Sequence, residues 1–243
     1  MSFPLTIANG KFYPVAFRKG PQTSFYRSLP VLSKGPTEHS SALNKPLLHF
    51  NDETLAAKYS TEYLAKQSQV TYLIPLSGRL NINYKGQPHI IKPGTLYILD
   101  LSAGDAIKIT NPQRDELSNY LVLSTESMAT FSKMTQFVYF DLSTAEGMRQ
   151  KLMEIHSIGH PSISGTFKKV SMGRYNARED FNYYPHKRDA NKTLFYVVSG
   201  SFEIEGRLLQ DRDGLMLWNT DQVQMESLEQ DSILLIFEYA TRW

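Results

Sequence analysis

The feature that most restricts how this chain folds is a repeat at half its length. Thr71-Tyr-Leu-Ile-Pro-Leu-Ser-Gly78 parallels Thr193-Leu-Phe-Tyr-Val-Val-Ser-Gly200. Each copy is Thr, five mostly apolar residues and Ser-Gly, followed by a short alternating stretch, Arg79–Tyr84 or Ser201–Glu205. Each then reaches a second glycine and another apolar run, Gly94-Thr-Leu-Tyr-Ile-Leu or Gly214-Leu-Met-Leu-Trp. Gly78 and Gly200 are 122 residues apart, and Gly94 and Gly214 are 120 apart, in a chain of 243. Two ordered turns at one offset, that offset being half the chain, predict duplicated domains. Within each copy the pattern reads strand, turn, strand, turn, strand, with both glycine pairs supplying the positive φ of tight turns.

Strand signals dominate elsewhere too. Apolar or alternating runs at Val70–Leu76, Leu80–Tyr84, Leu96–Leu101, Asn119–Ser124, Gln136–Leu142, Leu194–Ser199, Ser201–Glu205, Leu215–Asn219 and Ser232–Tyr239 lie between glycines, prolines and Asn/Asp pairs. Short antiparallel strands must hide their edges, which points to small barrels or jelly rolls. Helical signals are few. Ser143 and Glu146 form a capping pattern ahead of Met148, Leu152 and Ile155, so the spacing predicts a connecting helix over Ser143–His156. Shorter helices are expected over Thr125–Lys133 and Asp52–Tyr59. The division that follows is a first barrel over 1–142, a helical connector over 143–165 and a second barrel over 166–243.

Composition removes several chemistries. With no cysteine there are no disulfides, thiolate zinc sites, iron–sulfur clusters or cysteine nucleophiles. A net charge of +2 gives no argument for nucleic acid. No apolar run approaches the roughly 18 residues of a membrane helix, and the first ten residues lack a signal-peptide pattern. The expectation is a cytoplasmic protein without membrane contact. No GxxxxGK, GxGxxG or GxSxG motif occurs. The first 37 residues carry five basic and no acidic side chains, interleaved with Phe12, Tyr13, Phe17, Phe25 and Tyr26, and are expected to pack on the chain's own barrels.

The run His186-Lys-Arg-Asp-Ala-Asn-Lys-Thr-Leu-Phe-Tyr-Val-Val-Ser-Gly200 resembles a motif of the cupin superfamily, specifically of two-barrel, pirin-like cupins, matching it at His186, Thr193, Tyr196, Val197 and Gly200. The resemblance implies an all-β fold of two tandem jelly-roll barrels, a bicupin. In pirin-like proteins this run belongs to the first barrel, whereas the better copy here is in the second half. Metal cupins hold a divalent ion with several histidines and usually a glutamate, leaving open positions for substrate and O₂. Carried over position by position, the pattern gives His186, then Arg188, which cannot ligate metal. The glutamate position becomes Lys192 or Thr193, and the late histidine falls near Gln224. The first half has Thr71 at the glutamate position, Ile107 at the late one and no histidine near Gly78. The usual metal centre is therefore expected to be lost in both halves, with one divalent metal at His186 as the alternative.

The candidate ligand site is His186, Arg188, Tyr196, Gln224 and Glu226, all expected inside the second barrel. Gln222, Gln224 and Glu226 alternate along one strand, which either forms an interior wall or is a solvated edge. An arginine fork favours a carboxylate or other anion on an aromatic or apolar body. Three functions stay open: a metal-free bicupin binding a small anionic or aromatic molecule or a protein partner; a metal-dependent, quercetinase-like dioxygenase with an atypical centre; and a structural or regulatory module. Whether the chain is an enzyme, its ligand and its oligomeric state are left open. His156 and His160 have an H-x₃-H spacing, but Gly159 interrupts it and the expectation is a fortuitous surface pair; His89 sits in a turn, and His39 and His49 carry no ligating spacing.

Overall fold

A computed structural model describes residues 8–32, 47–126, 135–142, 152–157, 167–186 and 191–240. Two compact units emerge. Arg18 to Asp141 forms the core of one, while the other takes the first 17 residues, Leu142–Ser157 and the chain from Phe167 onward.

The first unit contains β2 (Tyr26–Pro30), β3 (Leu47–Leu55), β4 (Ser60–Leu64), β5 (Gln69–Ser77), β6 (Leu80–Tyr84), β7 (Gln87–Ile91), β8 (Thr95–Leu101), β9 (Ala106–Thr110), β10 (Ser118–Glu126) and β11 (Thr135–Tyr139). The second contains β1 (Gly10–Tyr13), β12 (Leu152–Ser157), β13 (Phe167–Tyr175), β14 (Glu179–Tyr183), β15 (Asn191–Ser199), β16 (Phe202–Ile204), β17 (Arg207–Leu209), β18 (Gly214–Trp218), β19 (Val223–Ser227) and β20 (Ser232–Ala240). Each unit is a six-stranded and a four-stranded antiparallel sheet. The large sheets run β11-β8-β5-β10-β3-β2 and β1-β18-β15-β20-β13-β12, and the small ones β4-β9-β6-β7 and β14-β19-β16-β17. Matched in this order the two units are the same barrel twice, so the half-chain repeat is a repeat of complete folds. Each barrel closes on its own apolar interior: Leu73, Ile82, Tyr97, Ile109 and Val122 in the first, Phe195, Ile204, Leu215, Met225 and Ile236 in the second.

One strand breaks the linear division. The N-terminal strand β1 pairs with β18, from Gly10 opposite Leu217 to Tyr13 opposite Gly214, so it completes the second barrel rather than the first. The binding is backbone-directed: the Arg207 guanidinium donates to the Ala8 carbonyl at 2.8 Å and the Val15 N–H to Asp213 at 2.7 Å. The aromatic residues of this segment are less buried than expected, with Tyr13 in the core and Phe17 77% exposed.

The expected helices are not found among the described residues. Leu152–Ser157 is an edge strand on β13, and Asp52–Leu55 ends β3. Thr125 and Glu126 end β10, and 127–134, 143–151 and 158–166 lie outside the described residues. Sheet pairing overrides a local capping pattern because β12 gains partners on β13 at every residue but Ile155, where the register shifts.

The Ser-Gly turns have a different job from the one expected. They are not hairpins: each carries the chain from the large sheet to the small one. Gly78 and Gly200 have φ of +69° and +80°. A Cβ on Gly78 would lie 2.7 Å from the Ser118 hydroxyl, and one on Gly200 would overlap the Ser232 hydroxyl. Ser118 and Ser232 open the equivalent strands β10 and β20, so both corners are built alike. Gly94 has φ +84°, but Gly214 is an ordinary strand residue, and Arg212 at +69° takes its turn. Replacing Gly200 or Gly78 by alanine should cost about 2–4 kcal/mol in urea denaturation, backbone strain plus overpacking. Gly206→Ala, at φ +67° with open space around it, should cost about 1 kcal/mol. Equal losses at all three would show that the corners are not tight.

Candidate functional site

Side chains alternate faces along a strand, so register decides what enters a barrel. At one end of each interior four strands bring equivalent positions together. In the first barrel His49, Thr71 and Ser124 are cross-strand neighbours, and the Tyr63 hydroxyl from β4 lies 2.9 Å from the Ser124 hydroxyl. In the second barrel the same ring is Lys169, Thr193 and Glu238, with the Tyr183 hydroxyl donating to Glu238.

The first ring is a neutral network. The Gln69 amide nitrogen lies 2.7, 3.0 and 3.1 Å from the hydroxyls of Tyr63, Thr71 and Ser124, and Thr71 and Ser124 are 3.0 Å apart. His49 packs against the Tyr63 ring at 5.6 Å, and its Nε2 is buried without a hydrogen-bond partner. Burial holds its imidazole down at about 4. Further along β3, the Glu53 carboxyl accepts the Tyr120 hydroxyl at 2.8 Å and the Ser28 hydroxyl at 3.1 Å, while Asn51 donates to Ser28 at 2.6 Å. Burial outweighs these donors and raises the Glu53 carboxyl above its ordinary range. By register the second barrel has Gly173 at this place, and the Tyr175 hydroxyl sits 2.7 Å from where a Cβ would be.

The second ring is charged. Glu238 is 1% exposed and accepts both the Tyr183 hydroxyl and the His186 backbone N–H, the latter at 3.0 Å. Burial and then the Glu238 charge push the Tyr183 phenol far up. Lys169 lies over the Tyr183 ring at 5.9 Å and pairs with Glu154 at 3.6 Å.

A cupin metal centre needs several imidazoles and a carboxylate converging on one point. The first ring supplies one imidazole and no carboxylate, and the second one carboxylate and no imidazole. Thr71 and Thr193 stand at the glutamate position. Among the described residues no three His, Cys, Asp or Glu side chains come together to hold an ion. These donor sets do not fit a metal centre of the cupin kind.

The residues expected at the site separate. His186 is exposed at the rim, tied to the ring through its backbone. Tyr196 is fully buried, but Phe195 and Val197 fill the interior, so Tyr196 faces the other side of the large sheet. Gln224 is exposed and Glu226 half-exposed on the outer face of the small sheet, where Val223 and Met225 point inward. The counterpart of Ile107 is therefore Val223 and not Gln224. Glu226 pairs with Arg178 at 3.1 Å and stands in one cross-strand row with Asp180 and Glu203. This row lines a shallow polar depression that also includes Gln224. Arg188 lies outside the described residues. Sequence reading missed Lys169, Tyr183, Glu238, His49 and Glu53. A usable signal existed for Glu238, which is in phase with Leu234 and Ile236 on an otherwise apolar strand.

Residues 168–238 match the family model described as the quercetinase C-terminal cupin domain. No curated protein matches the chain. The structure resembles the nickel(II) complex of the bacterial pirin YhhW from Escherichia coli, at 13% identity and a TM-score of 0.78, covering 96% of this chain and 100% of that one. It also resembles a quercetin 2,3-dioxygenase from Acinetobacter baumannii, at 13% identity and a TM-score of 0.71, covering 95% of this chain and 86% of that one. GK1651 from Geobacillus kaustophilus, at 11% identity and a TM-score of 0.68, matches over 98% of this chain and 97% of its own.

His49 generates a pH prediction. Its folded value of about 4 lies below the ordinary 6.5, so its contribution to stability is present above 6.5 and is lost as pH falls toward 4. The wild type should lose up to roughly 3 kcal/mol more than His49→Gln between pH 7 and pH 4 in chemical denaturation. Parallel pH profiles would contradict this assignment.

Proposed function

We propose that this pirin-like bicupin binds a small aromatic or anionic molecule at the mouth of its second barrel, without a metal centre. The observation that carries this reading is the second ring. A fully buried carboxylate, Glu238, is held by Tyr183 and by the backbone of His186, and the His186 side chain is left exposed at the rim. Buried charge of this kind is costly and is usually retained where it orients other groups. Here it fixes the segment that presents His186. Arg188, two residues further on, is the anion-binding partner in this reading, and Lys169 adds a second positive charge near the ring. The first ring, closed by its own neutral hydrogen bonds, offers no comparable handle.

Tyr196, Gln224 and Glu226 are dropped from this site, since one faces the opposite side of the large sheet and the others the outer face of the small sheet. The YhhW structure is described with nickel(II) and the Acinetobacter protein as a quercetin 2,3-dioxygenase. An aromatic ligand is in keeping with that neighbourhood, while the donor set here argues against the metal. Among the described residues no helix is long and apolar enough to cross a membrane. With no cysteine and a near-neutral charge, we place the protein in the cytoplasm, without nucleic acid as a partner.

Isothermal titration with a panel of aromatic carboxylic acids and flavonols, in excess chelator, tests the proposal. At least one compound should bind the wild type, and His186→Ala or Arg188→Ala should weaken that binding about tenfold or more, the worth of one charge-assisted contact. Binding that disappears with chelator, or oxygen uptake with quercetin that follows added metal, would favour the dioxygenase instead.

A further inference from the structure

Glu53 plays no part in the proposed ligand site, yet it is the most constrained ionisable group of the first barrel. It is 5% exposed and joins three strands. Tyr120 reaches it from β10 and Ser28 from β2, both as donors. The Asn51 amide, its neighbour on β3, braces Ser28. Tyr26 on β2 is the other group against it, with Tyr59 beyond. The charged residues of the same strands face away: Asp52 takes the Asn119 amide at 2.6 Å on the opposite face, and Arg27 donates to Thr54. Among the described residues, the groups that bond or brace the Glu53 carboxyl are phenols, a hydroxyl and an amide.

A neutral carboxyl is at ease in this setting. A carboxylate there costs several kcal/mol unless it is paired or rehydrated. The least expensive route to water is loss of β2, the last strand of its sheet, whose outer edge is held only by the short Pro21–Thr23 segment through the Gln22–Arg27 bridge and whose Arg27 is already exposed. We propose that Glu53 is a proton-operated clamp on β2: when neutral it holds the strand against the barrel, and when ionised it releases the strand and opens the first barrel's polar wall, His49, Asn51 and Glu53, to solvent. The elevated ionisation of the Glu53 carboxyl is in keeping with this arrangement. The sign follows: a carboxyl raised on folding contributes stability that is present at low pH and lost as pH rises through its folded value. This is opposite to His49, so the two groups bound the barrel's stability from both sides.

Hydrogen exchange of the β2 amides, read by mass spectrometry from pH 5 to 9 on the full chain, tests the clamp. After correction for intrinsic exchange, wild-type protection should fall by up to about tenfold per pH unit from the ordinary carboxyl range up to the Glu53 midpoint and level off above it, while β5 and β10 stay level. Glu53→Gln, which removes the charge and keeps the shape, should abolish the slope. Ser28→Ala should lower protection of β2 already at pH 5. A wild-type profile without a break, or the same break in Glu53→Gln, overturns the proposal. Should Glu53→Gln not fold, infrared titration of the wild type decides. The band of a buried protonated carboxyl, shifted by ¹³C-glutamate labelling, must persist while β2 loses protection and vanish at the pH where that loss levels off, and a band absent at pH 5 overturns the proposal.

Discussion

A carboxyl group inside a β-barrel has to be satisfied by the strands that surround it, and this requirement organises both halves of the molecule. Among the described residues each barrel has one such glutamate. Glu238 in the second is answered by a phenol from the small sheet and a backbone amide from the rim. Glu53 in the first is answered by a phenol and a hydroxyl from two neighbouring strands. These are different solutions on one scaffold. Glu238 sits in the ring of four at the end of its barrel, whereas Glu53 lies two inward positions beyond His49 along β3. The first barrel fills its own ring with hydroxyls and the Gln69 amide, and the second fills the place of Glu53 with Tyr175 folded over Gly173. Duplication set the positions, and divergence at a few inward residues set the chemistry.

The architecture was legible because it rests on local signals that occur twice. Positive φ at Gly78 and Gly200, each pressed against the serine that opens the next long strand, needs glycine, and the two Ser-Gly pairs are visible in any reading of the chain. Strands with continuous apolar runs, such as β5, β8, β15 and β20, were equally plain. The edge strands were not. β1, β2 and β12 are short and half-exposed, and their existence depends on partners far away in sequence, as Gly10 on Leu217 illustrates. No pattern within Gly10–Tyr13 says which barrel it completes. The capping pattern near Ser143 was a true local preference that, over Leu152–Ser157, the ladder with β13 overrode.

The site was legible only in part, and the reason is register. His186 was found because it stands in a recognisable run. Gln224 was placed inside the barrel by a one-residue error, and along a strand one residue is the difference between interior and surface. With Val223 rather than Gln224 in the place of Ile107, the small sheets are both apolar inside, and the difference lies on the large sheets. There Lys169, His49 and Glu53 sit on β13 and β3, whose mixed polar sequences show no clean alternation, while Glu238 stands in phase with Leu234 and Ile236 on an otherwise apolar strand. The acidic row Asp180, Glu226 and Glu203 is a surface feature by the same logic.

The central claim is that each barrel carries its own differently satisfied polar ring whose donors do not fit a metal ion. Anomalous diffraction from crystals grown with nickel(II) or iron(II) tests it most directly, because it locates metal atoms without assuming where they bind. The account predicts no anomalous peak within ligating distance of His49, Thr71, Thr193 or Glu238, with the Tyr183–Glu238 and Gln69–Thr71–Ser124 hydrogen bonds intact in the electron density. A fully occupied metal inside either barrel, coordinated by those side chains, would contradict it.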